Sequence, residues 1–290
     1  MSEHRVRINE FTDPACPWAF STEPIRRRLR WLYEGRIDWV PRMVVISETV
    51  EEQEERGFTP EKMAEAQSQI AHDHGMPIDT DPRSRLAVSR PACLAVVAAR
   101  LHADERATRM LLRGLRVRNF AGGLLDDPAL IDAAVTDVGL DPADVRRWCE
   151  DPAVLAELEG DKEEARAPMP AANVLDHKLA NWSGGRRYTC PSYEITRISD
   201  GVTISIPGFQ PFGVYDVVLA NLVPGLERRK HPESVEEVLS WCGVPLATKE
   251  VAVMMDIDLA EARQRLGRVA GEHHVGVDGY WSLGSSFGFS

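Results

Sequence analysis

The stretch DPACPWAF, residues 13 to 20, holds the side chain of this sequence best suited to covalent chemistry. Cys16 is followed by Pro17, Trp18 and Ala19. A cysteine thiolate is a nucleophile that attacks disulfides and electrophilic carbon. Two cysteines separated by two residues form a redox dithiol, in which the second thiol resolves the mixed disulfide made by the first. Here Ala19 stands where the second cysteine would be, so Cys16 has no partner in its own loop. A redox cycle through it needs a sulfur from elsewhere, either another cysteine of the chain or an external thiol.

The chain carries cysteines at 16, 93, 149, 190 and 242. There is no C-x2-C pair and no Cys/His cluster at zinc spacing, so no structural metal is expected. Cys93 in PACLAVVAARL, Cys149 in VRRWCED and Cys242 in VLSWCGV read as small buried side chains of helical runs. Cys190, just before Pro191, stands apart with Cys16. His72 and His74 are two apart on a helical run and do not face each other. His273 and His274 lack carboxylate or cysteine companions at ligand spacing. Neither pair is assigned a metal.

The elements that must position Cys16 follow from the hydrophobic pattern. Residues 5 to 11, RVRINEF, alternate as a strand; Pro14 and Pro17 mark a turn; a helix follows from Ser21, with Ile25, Leu29, Leu32 and Tyr33 on one apolar face. Arg26, Arg27, Arg28 and Arg30 fall mostly on the other side and read as solvated. Residues 37 to 46, IDWVPRMVVI, read as a second strand, and strand–helix–strand with a long connection makes a parallel pair. Residues 47 to about 182 form a helical block, several of its helices opening at Pro or Asp and closing at Gly. A hairpin returns with PSYEITRI and VTISIPG around SDG, and a helix spans about Phe212 to Leu222. From Pro232 three short helices precede HHVGVDGYWSL, read as a hairpin pivoting on Asp278-Gly279. Three helices and a hairpin have the pattern of a winged helix.

Bulk properties narrow the classes. At 290 residues, with 43% hydrophobic and 27% charged content, the chain reads as a soluble globular protein with one large core or a main and a smaller domain. No apolar run is long enough for a membrane span, and MSEHRVRINEF has no secretory h-region, so a cytoplasmic location is expected. The formal charge of −11 argues against general nucleic-acid binding. Residues 232 to 290 hold only Lys249, Arg263, Arg265 and Arg268 as basic residues against nine acidic ones. DNA binding by the winged-helix-like segment is therefore not expected, although ARQRLGR lies where a recognition helix would. Packing on the first domain, a homodimer contact and a protein-docking surface remain the roles open to it.

FTDPACPW followed by YTCPSYEI and SIPGFQPFGVYDVV resembles the active-site loop and later segment of DsbA-like thioredoxin-fold proteins, particularly their cytoplasmic oxidoreductases. The resemblance covers about residues 5 to 224. It implies an α/β chain with a DsbA-like thioredoxin domain over residues 1–229 and a helical insertion at about 47–182; beyond it, the helix and hairpin pattern marks a winged-helix-like domain over residues 230–290. The resemblance also implies that Pro191 is a cis-proline, that Cys190 packs against the active-site thiol, and that Cys16 lies at a helix N-terminus. Backbone amides and the helix dipole would there lower its pKa from about 8.5.

On that footing Cys16, Cys190 and Pro191 are the candidate catalytic residues, and Pro17, Trp18, Asp13, Arg187 and Gln210 the candidate substrate-binding ones. Pro17 suits a first helical turn. Trp18 offers a shield or an aromatic wall, and Asp13 a turn residue or a proton relay. Arg187, with Arg186 in GGRRYT, offers either a carboxylate site or a solvated pair, and Gln210 resembles the family's late glutamine near the pocket edge. The expected activity is thiol–disulfide exchange on a small-molecule or protein substrate, resolved by Cys190 or by a small thiol such as glutathione or mycothiol, with no bound cofactor. Two alternatives stay open: a binding or adaptor protein that kept the fold without catalysis, and the thiol-dependent chemistry of kappa-class glutathione transferases and hydroxychromene-carboxylate isomerases. The latter typically carry Ser at the Cys16 position, so Cys16 leans away from them.

Overall fold

The computed structural model describes residues 4–182 and 185–284; Gly184 of the GGRRYT stretch lies outside the described residues. The chain opens with β1 (Val6–Thr12), α1 (Pro17–Ser21), α2 (Glu23–Leu32) and β2 (Ile37–Met43). β1 and β2 pair in parallel, from Val6 opposite Ile37 to Thr12 opposite Met43. The helix expected from Ser21 is in fact divided. α1 begins at Pro17, and Thr22 ends it by donating its hydroxyl to Ala19 O at 2.8 Å.

The helical block follows as α3 (Val50–Glu55), α4 (Pro60–His74), α5 (Arg90–His102), α6 (Glu105–Phe120), α7 (Pro128–Asp137), α8 (Pro142–Cys149) and α9 (Pro152–Ala165). Its starts are chemically marked. Asp127, Asp141 and Asp151 accept the amides of Ala129, Ala143 and Ala153 at 2.8–2.9 Å, each with a proline at the first helical position. After a 3₁₀ segment, Pro170–Lys178, the chain forms a hairpin of β3 (Leu179–Trp182) and β4 (Gly185–Tyr188). The sequence reading merged this hairpin into the helical block, because four-residue strands rich in Arg and Asn give no clear alternation.

β5 (Ser192–Arg197) and β6 (Thr203–Ile206) complete the main sheet in the order β2-β1-β5-β6, with β5 antiparallel to both neighbours. α10 (Phe212–Leu222) then packs on the sheet. This is the thioredoxin arrangement, with the helical block inserted between β2 and β5.

The C-terminal segment contains α11 (Val235–Cys242), β7 (Leu246–Ala247), α12 (Thr248–Met255), α13 (Leu259–Leu266), β8 (Gly271–Val275) and β9 (Asp278–Ser282), with sheet order β7-β9-β8. Its hairpin turns at Gly276-Val277, two residues before the expected Asp278-Gly279. The Asp278 carboxylate is committed elsewhere, accepting Thr248 N at 3.0 Å and Thr248 Oγ1 at 2.7 Å at the start of α12. Gly276, at φ 57°, lets the turn press on Ile78: a Cβ there would lie 1.8 Å from Ile78 O.

One apolar core runs through both parts of the chain. It joins Val6, Ile8 and Ile195 of the sheet to Leu29 and Leu32 of α2, Leu219 of α10, Val238 of α11, Val251 of α12 and Leu266 of α13. Burying each such side chain contributes roughly 1.5–3 kcal/mol.

The arginines of α2 overturn the sequence expectation that they are solvated. Arg26 is buried and pairs with Glu10 and, at 2.6 Å, with Glu23. Arg27 pairs with the fully buried Glu250 of α12 at 2.6 Å, Arg28 with Asp256 at 2.7 Å, and Arg30 with Glu105. Arg113 and Arg116 of α6 reach Glu250 at 2.7 Å and Glu23 at 2.6 Å. α2 is therefore covered on two sides, by the sheet and by α6 and α12. Its second covered side is built of charge, so it looks like a solvent face in the pattern.

Candidate active site

Cys16 is the N-cap of α1, in extended conformation at φ −81°, and Pro17 opens the helix behind it. Its sulfur lies 3.2 Å from the backbone oxygen of Cys190, at the start of the β5 segment. The Cys190–Pro191 peptide is cis. Both cysteines are free and largely buried, at 6% and 8% exposure. Both also line a cavity of about 430 Å³, so the pair is covered by protein yet faces an opening.

The two thiols sit in unlike fields. The Cys190 thiol, hydrogen-bonding to the Cys16 sulfur, holds Cys16 below its ordinary value; the backbone amides of Ala19 and Trp18 act in the same direction, against burial and the Asp13 carboxylate. The Cys190 carbonyl accepts from Cys16 only while Cys16 is a neutral thiol. Burial pushes Cys190 well up, its bond to Cys16 adds to the rise, and Arg187 opposes it. The two thiols are thus shifted in opposite directions, Cys16 down and Cys190 up.

Asp13 fixes the loop from beneath. Its Oδ1 accepts Ala15 N at 2.7 Å, and its Oδ2 accepts Ile46 N and Ser89 Oγ, each at 2.8 Å, and Cys93 Sγ at 3.4 Å. Burial raises its carboxyl above the ordinary range, and these bonds offset part of that rise. The Ile46 contact spans a strained residue. Val45 is held at φ 53°, a left-handed conformation that β-branched side chains rarely adopt. Beyond it Ile46 and Ser47 line the cavity.

The remaining candidates separate. Pro17, Trp18 and Arg187 line the cavity with the two cysteines. Arg187 also donates to Tyr188 O at 2.7 Å. Arg186 is turned to the hairpin, bonded to Asp176 at 2.9 Å and Asn181 at 2.9 Å, and Gln210 donates to Pro207 O at 3.1 Å; neither is among the cavity-lining residues. Trp18 is 42% exposed and meets the rings of His74, at 5.0 Å, and Phe209, at 5.9 Å.

Sequence reasoning missed His74, Phe209 and the opposite wall of the cavity, which the insertion supplies through Phe58, Met63, Gln67, Ile70 and Leu86. The signal was present for α4: Met63, Gln67 and Ile70 recur at helical spacing and mark a face that needs cover. Among the described residues no group of three or more His, Cys, Asp or Glu is placed to hold a metal ion. Among them, too, no helix is long and apolar enough to cross a membrane.

No protein-family model matches the chain. It is similar to the ClpXP adapter protein SpxH of Halalkalibacterium halodurans, with 25% identity over 272 residues that span 91% of this chain and 82% of that protein. Among solved structures it is similar to a protein of Nitrosomonas europaea described as a disulfide isomerase, with a TM-score of 0.56 and 13% identity over 75% of this chain and 99% of that one. It is likewise similar to the cytosolic disulfide reductase DsbM of Pseudomonas aeruginosa, with a TM-score of 0.53 and 14% identity over 75% of this chain and 100% of that one. The shared architecture is the DsbA-like thioredoxin fold.

Proposed function

We propose that this chain carries out thiol–disulfide exchange at Cys16 on a substrate seated in the cavity, with Cys190 as the resolving thiol. The observation that carries the reading is the contact between the two residues on the cavity wall, with Cys16 Sγ 3.2 Å from Cys190 O. The Cys16 thiolate attacks one sulfur of a substrate disulfide; that S–S bond breaks, and the departing sulfur leaves as a thiolate. Cys190 then gives up its proton to that thiolate and attacks the Cys16 sulfur, releasing the second substrate sulfur as a thiolate, which takes a proton from solvent. The substrate disulfide gains two electrons and becomes two thiols, and the protein keeps a Cys16–Cys190 disulfide.

Timing follows from the coupling of the pair. While Cys16 is a thiolate it helps keep Cys190 protonated. Once Cys16 is in a mixed disulfide its charge and its bond to Cys190 no longer raise the second thiol; burial and Asp13 still do, and Arg187 opposes them. Two equivalents of a small thiol, glutathione or mycothiol, then reduce the protein disulfide by two exchange steps and leave as their own disulfide. This cycle belongs to a reducing compartment.

The test is intact-mass analysis after exposure to glutathione disulfide. Wild type should lose two hydrogens, and Cys190→Ala should stop at a glutathione adduct on Cys16. Absence of both the two-hydrogen loss in wild type and the Cys16 adduct in Cys190→Ala would sink the reading.

A second reading is favoured by the name of the SpxH relative and by the half-exposed Trp18 against His74 and Phe209. In it the same rim holds a partner protein and the chain serves as an adapter. Partner binding that survives Cys16→Ser and is lost in Trp18→Ala would select it over the exchange reading.

A further inference from the structure

A second cavity, of about 240 Å³, lies away from the cysteine pair, between α2, α6 and α11. It shares no lining residue with the cavity at Cys16. In a chain of net charge −11, its wall carries Arg26, Arg27, Arg30, Arg109 and Arg113 against the carboxylates of Glu23 and Glu34.

Those carboxylates are already engaged. Glu23 receives Arg26 and Arg116, each at 2.6 Å, and Glu34 receives Trp241 Nε1 at 2.8 Å and Arg229 at 3.1 Å. Glu105, just outside, serves two guanidinium groups with one oxygen: Arg30 bonds to its Oε1, and Arg109 reaches the same atom at 3.5 Å. Arg113 Nη1 is buried with no hydrogen-bond partner among the described residues, and Glu23 Oε2 is 3.8 Å away. Arg26 is matched by Glu10 and Glu23, and Arg27 and Arg113 by Glu250, which leaves Arg30 and Arg109 crowded on the single carboxylate of Glu105 in a partly desolvated space.

We infer that this cavity is a binding site for a small organic polyanion, whose adjacent oxyanion groups engage Arg30 and Arg109 at its mouth. Guanidinium forks match phosphoryl and carboxylate oxygens in pairs. Trp39 and Trp241 provide flat apolar walls for the body of the ligand. The unrelieved charge also marks Arg30 itself: burial, then the neighbouring Arg109, push its pKa down to about 10. Because Trp241 and Cys242 come from α11, the bound anion would tie the C-terminal segment to α2 and α6.

The experiment uses the full chain, with isothermal titration and thermal unfolding in pyrophosphate or citrate, against sodium chloride at matched ionic strength. Saturable binding near one ligand per chain, with a raised Tm, is expected. Response to pyrophosphate alone assigns phosphoryl groups, to citrate alone carboxylates, and to both a site that reads charge. Arg30→Gln with Arg109→Gln removes side chains only 19% and 34% exposed. The double variant should weaken binding at least about tenfold, a change of roughly 1.4 kcal/mol. Glu105→Gln, which removes the competing carboxylate, should tighten binding and guards against misfolding of the double variant. No saturable binding of either probe, or equal affinity in wild type and both variants, overturns the inference.

Discussion

Cys190 meets Cys16 through two different groups, its carbonyl oxygen, 3.2 Å from the Cys16 sulfur, and its own thiol, and they favour opposite protonation states. The carbonyl stabilises the Cys16 thiol and the S–H stabilises the thiolate. The backbone amides of Ala19 and Trp18 side with the Cys190 thiol, and the net direction for Cys16 is downward, against burial and the Asp13 carboxylate.

Removing the Cys190 thiol should therefore raise the Cys16 pKa. In wild type, alkylation of Cys16 by iodoacetamide should reach half its maximal rate below about pH 8.5. In Cys190→Ala the midpoint should climb, because the largest lowering influence on Cys16 is gone. Peptide mass spectrometry across pH 4 to 9 reads both values. An unchanged midpoint would show that Cys190 does not tune its neighbour.

Asp13 is expected to act as a clamp and not as a proton relay. Asp13→Ala leaves the Ala15 and Ile46 amides and the Ser89 hydroxyl without their acceptor, at about 1–3 kcal/mol for each buried group left unpaired. It also frees Val45 from its left-handed conformation. The urea midpoint should fall as these bonds are lost, while loss of the Asp13 charge by itself favours the Cys16 thiolate. Full stability in the variant would contradict the clamp.

Acid should weaken the fold through Glu23. Burial alone would raise its carboxyl, but Arg26, Arg116 and Arg113 outweigh burial and hold it well below the ordinary range. The unfolded chain takes up a proton here near pH 4.3 while the folded chain does not. The stabilisation is thus present above that pH and is lost as pH falls below it. Asp13 runs the other way, since its raised folded pKa gives stability that is complete below its unfolded value and lost as pH rises. Glu23→Gln should cost about 3–5 kcal/mol at neutral pH and flatten the acid limb of urea midpoint against pH. A limb as steep as that of wild type would place the acid sensitivity elsewhere.

Gly276→Ala tests the contact between the C-terminal hairpin and the insertion. The added Cβ meets Ile78 O at 1.8 Å on a backbone at φ 57°, so the turn must move. Overpacking of this kind costs about 1–3 kcal/mol. Proteolysis should then cut first near residues 271 to 282. Uniform destabilisation with no local cleavage would indicate that the hairpin adjusts without leaving its seat.

The order of elements and the place of Cys16 were legible because both are local. Asp127-Pro128, Asp141-Pro142 and Asp151-Pro152 announce helix starts within two residues, and Pro17 does so beside Cys16. Arg27 was misread because its partner, Glu250, stands 223 residues away in the chain, and Arg26 because its partners Glu10 and Glu23 are themselves charged and buried with it. Hydrophobic periodicity finds an apolar face and has no term for a buried ionic one. His74 was weighed only against a metal, since its ring contacts with Trp18 and Phe209 join three separate segments. The hairpin turn was misplaced because Asp278-Gly279 is a strong local signal. Asp278 in fact serves α12, and Gly279 lets β8 approach, a Cβ there lying 2.7 Å from His273 O.

The sheet order carries a consequence for synthesis on the ribosome. β1 lies between β2 and β5, so its second edge stays open until some 180 residues more have been made. Glu250, which neutralises Arg27 and Arg113, appears later still. At roughly 5–20 residues per second the nascent chain spends about ten to forty seconds with one edge of its central strand open, and longer with Arg27 and Arg113 lacking Glu250. A ribosome stalled before β5 would hold a species with an exposed strand edge open to wrong partners.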